Sequence, residues 1–177
     1  EGLYAQDGNP IMSLMAEAGV AAIAQALPRL CRNAQDMAAR TEALYGAWLC
    51  GKVLGHVAMS LHHKLCHTLG GSFNMPHAET HTVVLPHALA YNTPAAPEAM
   101  ARLARAMGSA TAAQGAFDLA QRHGAPVSLR ELGMKAADLD RACELALQNQ
   151  YNNPRPLEQT AIRQLLQDAF EGRRPNV

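Results

Sequence analysis

The sequence has no surplus of charge of either sign, and this excludes some classes of partner. Its 15 Lys and Arg residues balance 15 Asp and Glu residues, so the formal net charge is zero. Without basic residues in excess, the chain lacks the usual attraction to a phosphate backbone, and we expect no nucleic-acid partner. Lys52, His56 and His62 interrupt the apolar stretches before these reach the roughly 20 residues that a bilayer span needs. We therefore predict no membrane-spanning segment.

Paired cysteines and a Gly-rich phosphate-binding motif such as GxGxxG are also missing. Cys31, Cys50, Cys66 and Cys143 lie far apart, which favours free thiols in a reducing compartment over a disulfide framework. The chain starts at Glu1 without the basic and apolar segments of a signal peptide. We therefore expect a cytoplasmic protein whose chain begins within a longer one, and no nucleotide site formed by this chain alone.

β-branched residues are sparse, whereas alanine and leucine dominate. Because no window alternates apolar with polar residues over more than a few positions, strands are poorly supported. We predict an all-α fold, a helical bundle that forms one domain over residues 1–177. Its first helix is predicted to start at Asn9-Pro10 and to be interrupted at Pro28.

Apolar spacing and helix-breaking residues predict the later helices. Apolar residues in steps of three and four over residues 47–69 predict one long helix that ends at Gly70-Gly71. After a tight loop, a helix is predicted to start near His77 and to bend or break at Pro86. Further helices are predicted at Pro97 to Met107, Ala110 to His123, Ala136 to Gln148 and Pro156 to Phe170.

Histidines are concentrated in one short region, since six of the eight lie between positions 56 and 81. On a helix, His63 and His67 share a face, with Cβ atoms about 5 to 6 Å apart. His77 stands at a predicted helix start, where the helix dipole disfavours imidazolium and favours the neutral ring that binds metals. Nitrogen donors without thiolate suit zinc or Fe(II).

The spacing leaves other interpretations open. A helical histidine can instead be half-buried with a carbonyl partner. His62 and Cys66 form a rival pair at the same spacing, although Cys66 suits a small core residue better. His81 can point into the same pocket as the others or lie on the helix surface, and His87 and His123 are interpreted as structural.

The stretch from Ser60 to His87 resembles the signature of iron-containing alcohol dehydrogenases, especially their maleylacetate reductase branch. It reads SLHHKLCHTLGGSFNMPHAETHTVVLPH. In that family, HxxxHxLG followed by a short loop, PH and a later LPH supplies metal ligands and a catalytic histidine from an all-helical C-terminal domain. The form PHAETH, where the alcohol dehydrogenases usually have PHG, resembles the reductase branch. Residues 1–10 and 91–100 also resemble that branch, so the likeness covers most of the chain.

The resemblance implies a role for three histidines. His63 and His77 would be metal ligands for Fe(II) or zinc, and His67 would face the nicotinamide and the substrate and donate a proton. It also implies an N-terminal dinucleotide-binding domain, absent from this chain, that binds NADH or NADPH and supplies two further ligands. Two histidines cannot complete a four-coordinate site, so we expect this chain to bind metal weakly by itself. Whether the enzyme depends on a metal stays open.

The resemblance further implies an oxidoreductase that reduces maleylacetate, a small dicarboxylate, to 3-oxoadipate during the degradation of aromatic compounds. It suggests a homodimer as well. One alternative is an iron- or zinc-dependent alcohol dehydrogenase that acts on a small alcohol or aldehyde. The alternative from another class is a non-catalytic helical module for binding or oligomerisation.

Overall fold

The computed structural model of the protein describes residues 1–176, and in that range it contains helices and no strand. The prediction of an all-α fold is therefore confirmed for these residues. The helices are α1 (Pro10–Arg32), α2 (Met37–Leu54), α3 (Leu61–Phe73), α4 (His77–Asn92), α5 (Pro97–Met107), α6 (Ala112–Arg122), α7 (Leu139–Ala146) and α8 (Gln159–Glu171), with a 3₁₀ turn at Ala136–Asp138 before α7.

The first helix starts at Pro10 as predicted, but it continues past Pro28 to Arg32. A proline inside a helix removes one backbone hydrogen bond. The last turn of α1 is held from outside, because Arg29 donates to both carboxylate oxygens of Asp36, the N-cap residue of α2, at 3.0 to 3.1 Å. The predicted interruption at Pro28 was therefore wrong, since the packing of α1 against α2 maintains the helix despite the lost hydrogen bond.

The single long helix predicted over residues 47–69 is in fact two helices. α2 ends at Leu54 and α3 starts at Leu61. In the connection between them, the backbone N–H of Ala58 donates to a carboxylate oxygen of Asp7 at 2.8 Å. The apolar spacing therefore continued across a break, which is stabilised by a side chain 51 positions away.

The link between α3 and α4 is shorter than predicted. α3 passes through Gly70-Gly71 and ends at Phe73, where Asn74 closes the helix in the left-handed conformation with φ of 53°. Asn takes the place that Gly often has at a helix C-terminus. α4 begins at His77 as predicted, so only residues 74–76 separate the two helices.

α4 also continues through Pro86 to Asn92, so the predicted break there was wrong. Pro86 is buried, and the contacts of α4 with α3, α6 and α8 maintain the helix despite the missing N–H. The remaining predictions were close. α5 has the predicted bounds, and α6, α7 with its 3₁₀ turn, and α8 differ from theirs by up to three residues at either end.

The main core lies between α3, α4, α7 and α8 and is built from large apolar side chains. Leu65, Leu69, Leu139 and Leu166 are all at most 1% exposed. This core fixes the relative positions of α3 and α4, the two helices that carry the predicted site residues.

The hairpin formed by α1 and α2 packs through small residues instead. Gly19 and Gly46 lie so close that a Cβ atom on Gly46 would be 2.8 Å from the carbonyl oxygen of Gly19. Several large apolar side chains of this hairpin are exposed, whereas Leu49 and Val53 are buried. The exposed ones are those of Ile11, Leu14, Met37, Leu44, Tyr45, Trp48 and Leu54.

Within residues 1–176, α1 is the one helix that is long and apolar enough to cross a bilayer, judged by length and composition. The interruptions at Lys52, His56 and His62 lie after this helix, so they do not shorten its apolar stretch. In the structure α1 packs against α2 and α5, and its Glu17 forms an ion pair with Arg102 of α5 at 2.7 Å. These contacts make α1 part of the bundle, and the absence of a membrane span stays a prediction.

All four cysteines are free thiols, as their spacing predicts. Cys66 and Cys143 are buried, whereas Cys31 is exposed.

Candidate functional site

Five histidines from α3 and α4 form one continuous cluster of rings. The centroid of the His63 ring lies 6.0 Å from that of His67 and 5.0 Å from that of His81. The His81 ring lies 4.5 Å from the His77 ring and 4.8 Å from the His62 ring. The three histidines singled out from the sequence therefore belong to one cluster, and His81 connects His63 with His77.

Helix geometry and the short link bring these rings together. His63 and His67 lie one turn apart on α3, and His77 and His81 lie one turn apart on α4, so each pair shares a helix face. Because only residues 74–76 join the helices, the start of α4 is held close to the end of α3. The main core beneath them then fixes which faces meet.

Glu1 is the carboxylate of the cluster. Its Oε2 atom lies 2.5 Å from Nδ1 of His63, and its Oε1 atom accepts a hydrogen bond from the backbone N–H of His62 at 2.7 Å. The side chain is only 2% exposed. Burial acts to raise the pKa of Glu1, but the hydrogen bond with His63 and a hydrogen bond with the Ser60 backbone lower it below its ordinary value. Glu1 is therefore ionised at neutral pH.

Burial and mutual repulsion favour neutral imidazoles in the cluster. Burial is the main cause that lowers the pKa of His62 to about 3 and that of His81 to about 4. The pKa of His67 is also lowered, by burial and by the neighbouring His63 and His77. A neutral ring keeps a nitrogen lone pair, which a metal ion or a proton in transfer requires.

His67 lies at the exposed edge of the cluster. Its Nδ1 atom is 3.1 Å from the hydroxyl group of Tyr151, in the segment between α7 and α8. The ammonium group of Lys64 lies 5.5 Å from the centroid of the same tyrosine ring. A hydroxyl group and a cation thus lie close to an imidazole that is accessible to a small molecule.

The contacts of the other histidines distinguish between a carbonyl partner, a place in the cluster and a separate location. His62 has a carbonyl partner, since its Nε2 atom lies 3.2 Å from the backbone oxygen of His81. His81 points into the cluster rather than outward, and its Nε2 atom is buried without a hydrogen-bond partner among the described residues. His56 lies apart, with Nδ1 2.6 Å from the Lys52 carbonyl oxygen. His87 is buried on α4, as a structural role requires.

His62 and Cys66, the alternative pair of metal ligands, are both buried. Their ligand atoms and that of His81 lie within 4.8 Å of one another, which is close enough for a shared metal ion. However, burial raises the pKa of the Cys66 thiol, and metals bind the thiolate. The His62 nitrogen nearest to His81 is also held by a carbonyl group. Cys66 is therefore best described as a buried core residue.

Comparison with known proteins places the cluster in a family. The sequence model described as "Fe-containing alcohol dehydrogenase family, C-terminal" matches residues 1–170. The chain belongs to this family. The resemblance inferred from the motif is thereby confirmed, and the all-helical architecture is that of the C-terminal domain of these enzymes.

The relatives at high identity are maleylacetate reductases. Those of Pseudomonas sp. (strain P51) and Burkholderia cepacia are 62% and 60% identical to this chain, over 99% of it and 50% of each relative. The crystal structure of maleylacetate reductase from Agrobacterium tumefaciens matches with a TM-score of 0.96 at 59% identity, over 99% of this chain and 50% of that one. The iron-containing alcohol dehydrogenase from Corynebacterium glutamicum matches with a TM-score of 0.92 at 40% identity, over 97% and 49%. The chain spans about half the length of the curated relatives it matches.

The donor set fits the metal ion that gives this iron-containing family its name. His63 has Nδ1 engaged by Glu1, which leaves its Nε2 atom to a ligand, and the Nε2 atom of His81 is buried without a partner. Imidazole nitrogens of this kind suit Fe(II) and zinc. Within residues 1–176, the groups of three close ligand atoms are Glu1 with His62 and His63, and His62 with Cys66 and His81. His77 is in neither group, so the described residues do not form a complete ligand set around His63 and His77.

Two residues of this site carried no signal in the sequence. Glu1 lies 62 positions from His63, and Tyr151 lies 84 positions from His67. Helical spacing relates only residues within a turn or two, so it could not associate either with the histidines. For His81, by contrast, the sequence held a signal, because its spacing from His77 places both residues on the same helix face.

Proposed function

We propose that this chain is the helical catalytic portion of a maleylacetate reductase, which reduces maleylacetate to 3-oxoadipate with NADH or NADPH during the degradation of aromatic compounds. One observation carries the proposal most directly. The cluster containing His63, His67 and His77 lies in a chain whose relatives at 60 to 62% identity, over 99% of its length, are named maleylacetate reductase. Nicotinamide binding is assigned to a part of the protein outside residues 1–177, which contain no Gly-rich phosphate motif.

The exposed imidazole suits the proton-transfer step of this reaction. Hydride adds to one carbon of the double bond, and the negative charge develops on the oxygen of the conjugated ketone. His67 would then relay a proton from water to the adjacent carbon, directly or through a second water molecule. Tyr151, whose hydroxyl lies 3.1 Å from Nδ1 of His67, would hold the ring in place. Lys64, whose ammonium group lies 5.5 Å from the centroid of the Tyr151 ring, would attract a carboxylate of the dianionic substrate.

His63 and His77 would hold Fe(II) or zinc together with ligands from outside this chain. A bound ion of this kind stabilises the negative charge that develops on a carbonyl oxygen. The contribution of this chain is to present imidazole nitrogens from two helices whose positions are fixed by the main core.

Replacement of His67 tests the proposed activity. In the full-length protein, His67→Ala should lower kcat for maleylacetate by about 10²- to 10⁴-fold, the contribution typical of general acid catalysis. His56→Ala is a matched control. His56 belongs to the same histidine-rich region of the sequence, but its ring contacts the Lys52 carbonyl oxygen and lies outside the cluster. An unchanged rate in a folded His67→Ala protein would favour the non-catalytic helical module instead.

An alcohol dehydrogenase is the second candidate, and the match to the Corynebacterium glutamicum enzyme favours it. The two functions differ in substrate, so kcat/KM for maleylacetate should be compared with that for simple alcohols and aldehydes in the same preparation. We expect maleylacetate to be preferred. A clear preference for alcohols would overturn the first proposal.

The location and assembly of the protein are part of the same proposal. We propose a cytoplasmic homodimer, and the four free cysteines support a reducing compartment. Light scattering of the full-length protein would measure the dimer directly, and a monomer over the working concentration range would contradict it.

A further inference from the structure

The helix that carries His63 and His67 lacks a cap of its own. Ser60 occupies the N-cap position of α3, but its side chain makes no capping hydrogen bond. The first backbone N–H groups of a helix have no partner within the helix and need an acceptor. Glu1 supplies one, because its Oε1 atom accepts from the N–H of His62 at 2.7 Å. A residue distant in sequence therefore caps the N-terminus of α3 in place of Ser60.

The second oxygen of the same carboxylate binds His63. Oε2 lies 2.5 Å from Nδ1 of that ring. An ionised carboxylate has only acceptors, so the hydrogen of this contact must be on Nδ1. A neutral imidazole carries one N–H group, and its other nitrogen is then an acceptor. Nε2 is therefore the nitrogen of His63 that is left to bind a ligand.

We propose that Glu1 is a positioning residue, which fixes the Nδ1–H tautomer of His63 and directs its Nε2 lone pair toward the ligand site of the cluster. The second half of this statement rests on the proposed function, in which His63 is a metal ligand. The first half rests only on the contacts of Glu1. Histidine ligands usually donate their second N–H to such a partner, and its loss typically lowers metal affinity about 10- to 100-fold.

Burial makes the arrangement specific. The Glu1 side chain is 2% exposed, so water cannot easily replace either of its partners. Because one carboxylate holds both the backbone of His62 and the ring of His63, the orientation of that ring is tied to the start of α3. A displaced Glu1 would leave a helix N–H without its acceptor and the imidazole free to change tautomer.

Glu1→Gln is the sharpest probe, because it keeps the size of the side chain and turns one acceptor into a donor. The N–H of His62 is a fixed donor, so the amide oxygen must face it. The amide NH₂ group then faces Nδ1 of His63 and can donate only to an unprotonated nitrogen. The hydrogen of the ring must move to Nε2, which is the atom that would bind the metal.

Asp7→Asn is the matched control. The Asp7 carboxylate also accepts from a distant backbone N–H, that of Ala58 at 2.8 Å, but it binds no histidine ring. The asparagine oxygen can still accept that hydrogen bond. The control thus repeats the chemical change without touching the cluster.

The experiment measures the tautomer directly in the metal-free, full-length protein labelled with ¹⁵N at histidine. Ring ¹H–¹⁵N correlation spectra, assigned with a His63 variant, should show the Nδ1–H form in the native protein and in Asp7→Asn, and the Nε2–H form in Glu1→Gln. An Nε2–H form in the native protein would overturn the proposal without any variant, even if Glu1→Gln failed to fold. An unchanged tautomer in a folded Glu1→Gln protein would overturn it too.

Zinc affinity, measured by competition with a chelator, tests the second half. Glu1→Gln should weaken Zn²⁺ binding about 10- to 100-fold, while Asp7→Asn should leave it unchanged. Glu1→Asp, which retains two acceptors, should recover part of the loss. A switched tautomer with unchanged Zn²⁺ affinity would overturn the assignment of Nε2 to the metal. Failure of maleylacetate reduction with the expected tautomers would instead count against the proposed function alone.

Discussion

The main core and the α1–α2 hairpin are held together by opposite kinds of packing. In the main core, large side chains such as Leu69 and Leu166 fill the space between helices and are fully buried. In the hairpin, the backbones approach each other at Gly19 and Gly46, and many of the large side chains lie outside. The helices of the histidine cluster are therefore stabilised by large buried side chains, whereas the close approach of α1 and α2 requires that positions 19 and 46 carry no side chain.

The largest effect on stability should come from emptying the main core. Leu69 is 0% exposed, and Leu69→Ala should lower the free energy of unfolding by about 3 to 5 kcal/mol, because it leaves a cavity in the main core. Leu44→Ala in the hairpin, where the side chain is 72% exposed, should change it by less than about 0.5 kcal/mol. Denaturant titrations of both variants measure the difference, and equal effects would remove the distinction between the two regions.

A buried titratable group gives the α4 side of the core a pH dependence. Burial lowers the pKa of His87 to about 4 from its ordinary 6.5, with Asp168 acting in the opposite direction. The unfolded chain therefore binds more protons between pH 6.5 and 4, and stability should fall as the pH falls through this range. The full shift corresponds to roughly 3 kcal/mol.

His87→Gln isolates this contribution, because glutamine does not titrate. Unfolding measured at pH 7 and pH 4.5 should show a smaller loss of stability in the variant than in the native protein. The same pH dependence in both proteins would show that His87 is protonated without cost in the folded state.

A side chain added at the hairpin contact should destabilise it by an intermediate amount. Gly46→Ala would place Cβ 2.8 Å from a backbone oxygen, which cannot rotate away. Because α1 and α2 must separate to make room, we expect a loss of about 1 to 3 kcal/mol. Gly51→Ala in the same helix meets nothing within 4 Å and should stabilise the protein by about 0.5 to 1 kcal/mol. Thermal unfolding would separate the two variants by sign.

The smallest effect is expected on the outer face of the hairpin. Trp48 is 55% exposed. Its ring stacks on that of Tyr45, with 6.5 Å between the two ring centroids, and the ammonium group of Lys52 lies 5.9 Å from the centroid of the Trp48 ring. Trp48→Gln should change the free energy of unfolding by less than about 1 kcal/mol. A loss comparable to that of Gly46→Ala, measured by circular dichroism, would show that the outer side chains also hold the hairpin.

Helix ends were predicted correctly where neighbouring residues in the sequence determine them. The starts of α1 at Pro10 and α4 at His77, and both ends of α5, follow from prolines and caps next to them. The break before α3 was missed because its stabilising contact comes from Asp7, 51 positions away. The continuation through Pro28 and Pro86 was missed for a related reason, since tertiary packing offsets a lost hydrogen bond.

The same division applies to the site. The pairing of His63 with His67 follows from helical spacing, and the association with His77 came from the resemblance to a family motif. Glu1 and Tyr151 could not be predicted, because their contacts depend on how the whole bundle folds. The catalytic role of His67 and the metal-binding roles of His63 and His77 stay predictions.

The three-residue link at 74–76 also bears on the order in which the cluster assembles during folding. Helices joined by so few residues meet with a small loss of chain entropy, and contacts between near neighbours in sequence form fast. The imidazoles of α3 and α4 should therefore gather early. Glu1, which must close a loop of 62 positions to reach His63, should arrive later and select the ring orientation only when the bundle is nearly complete.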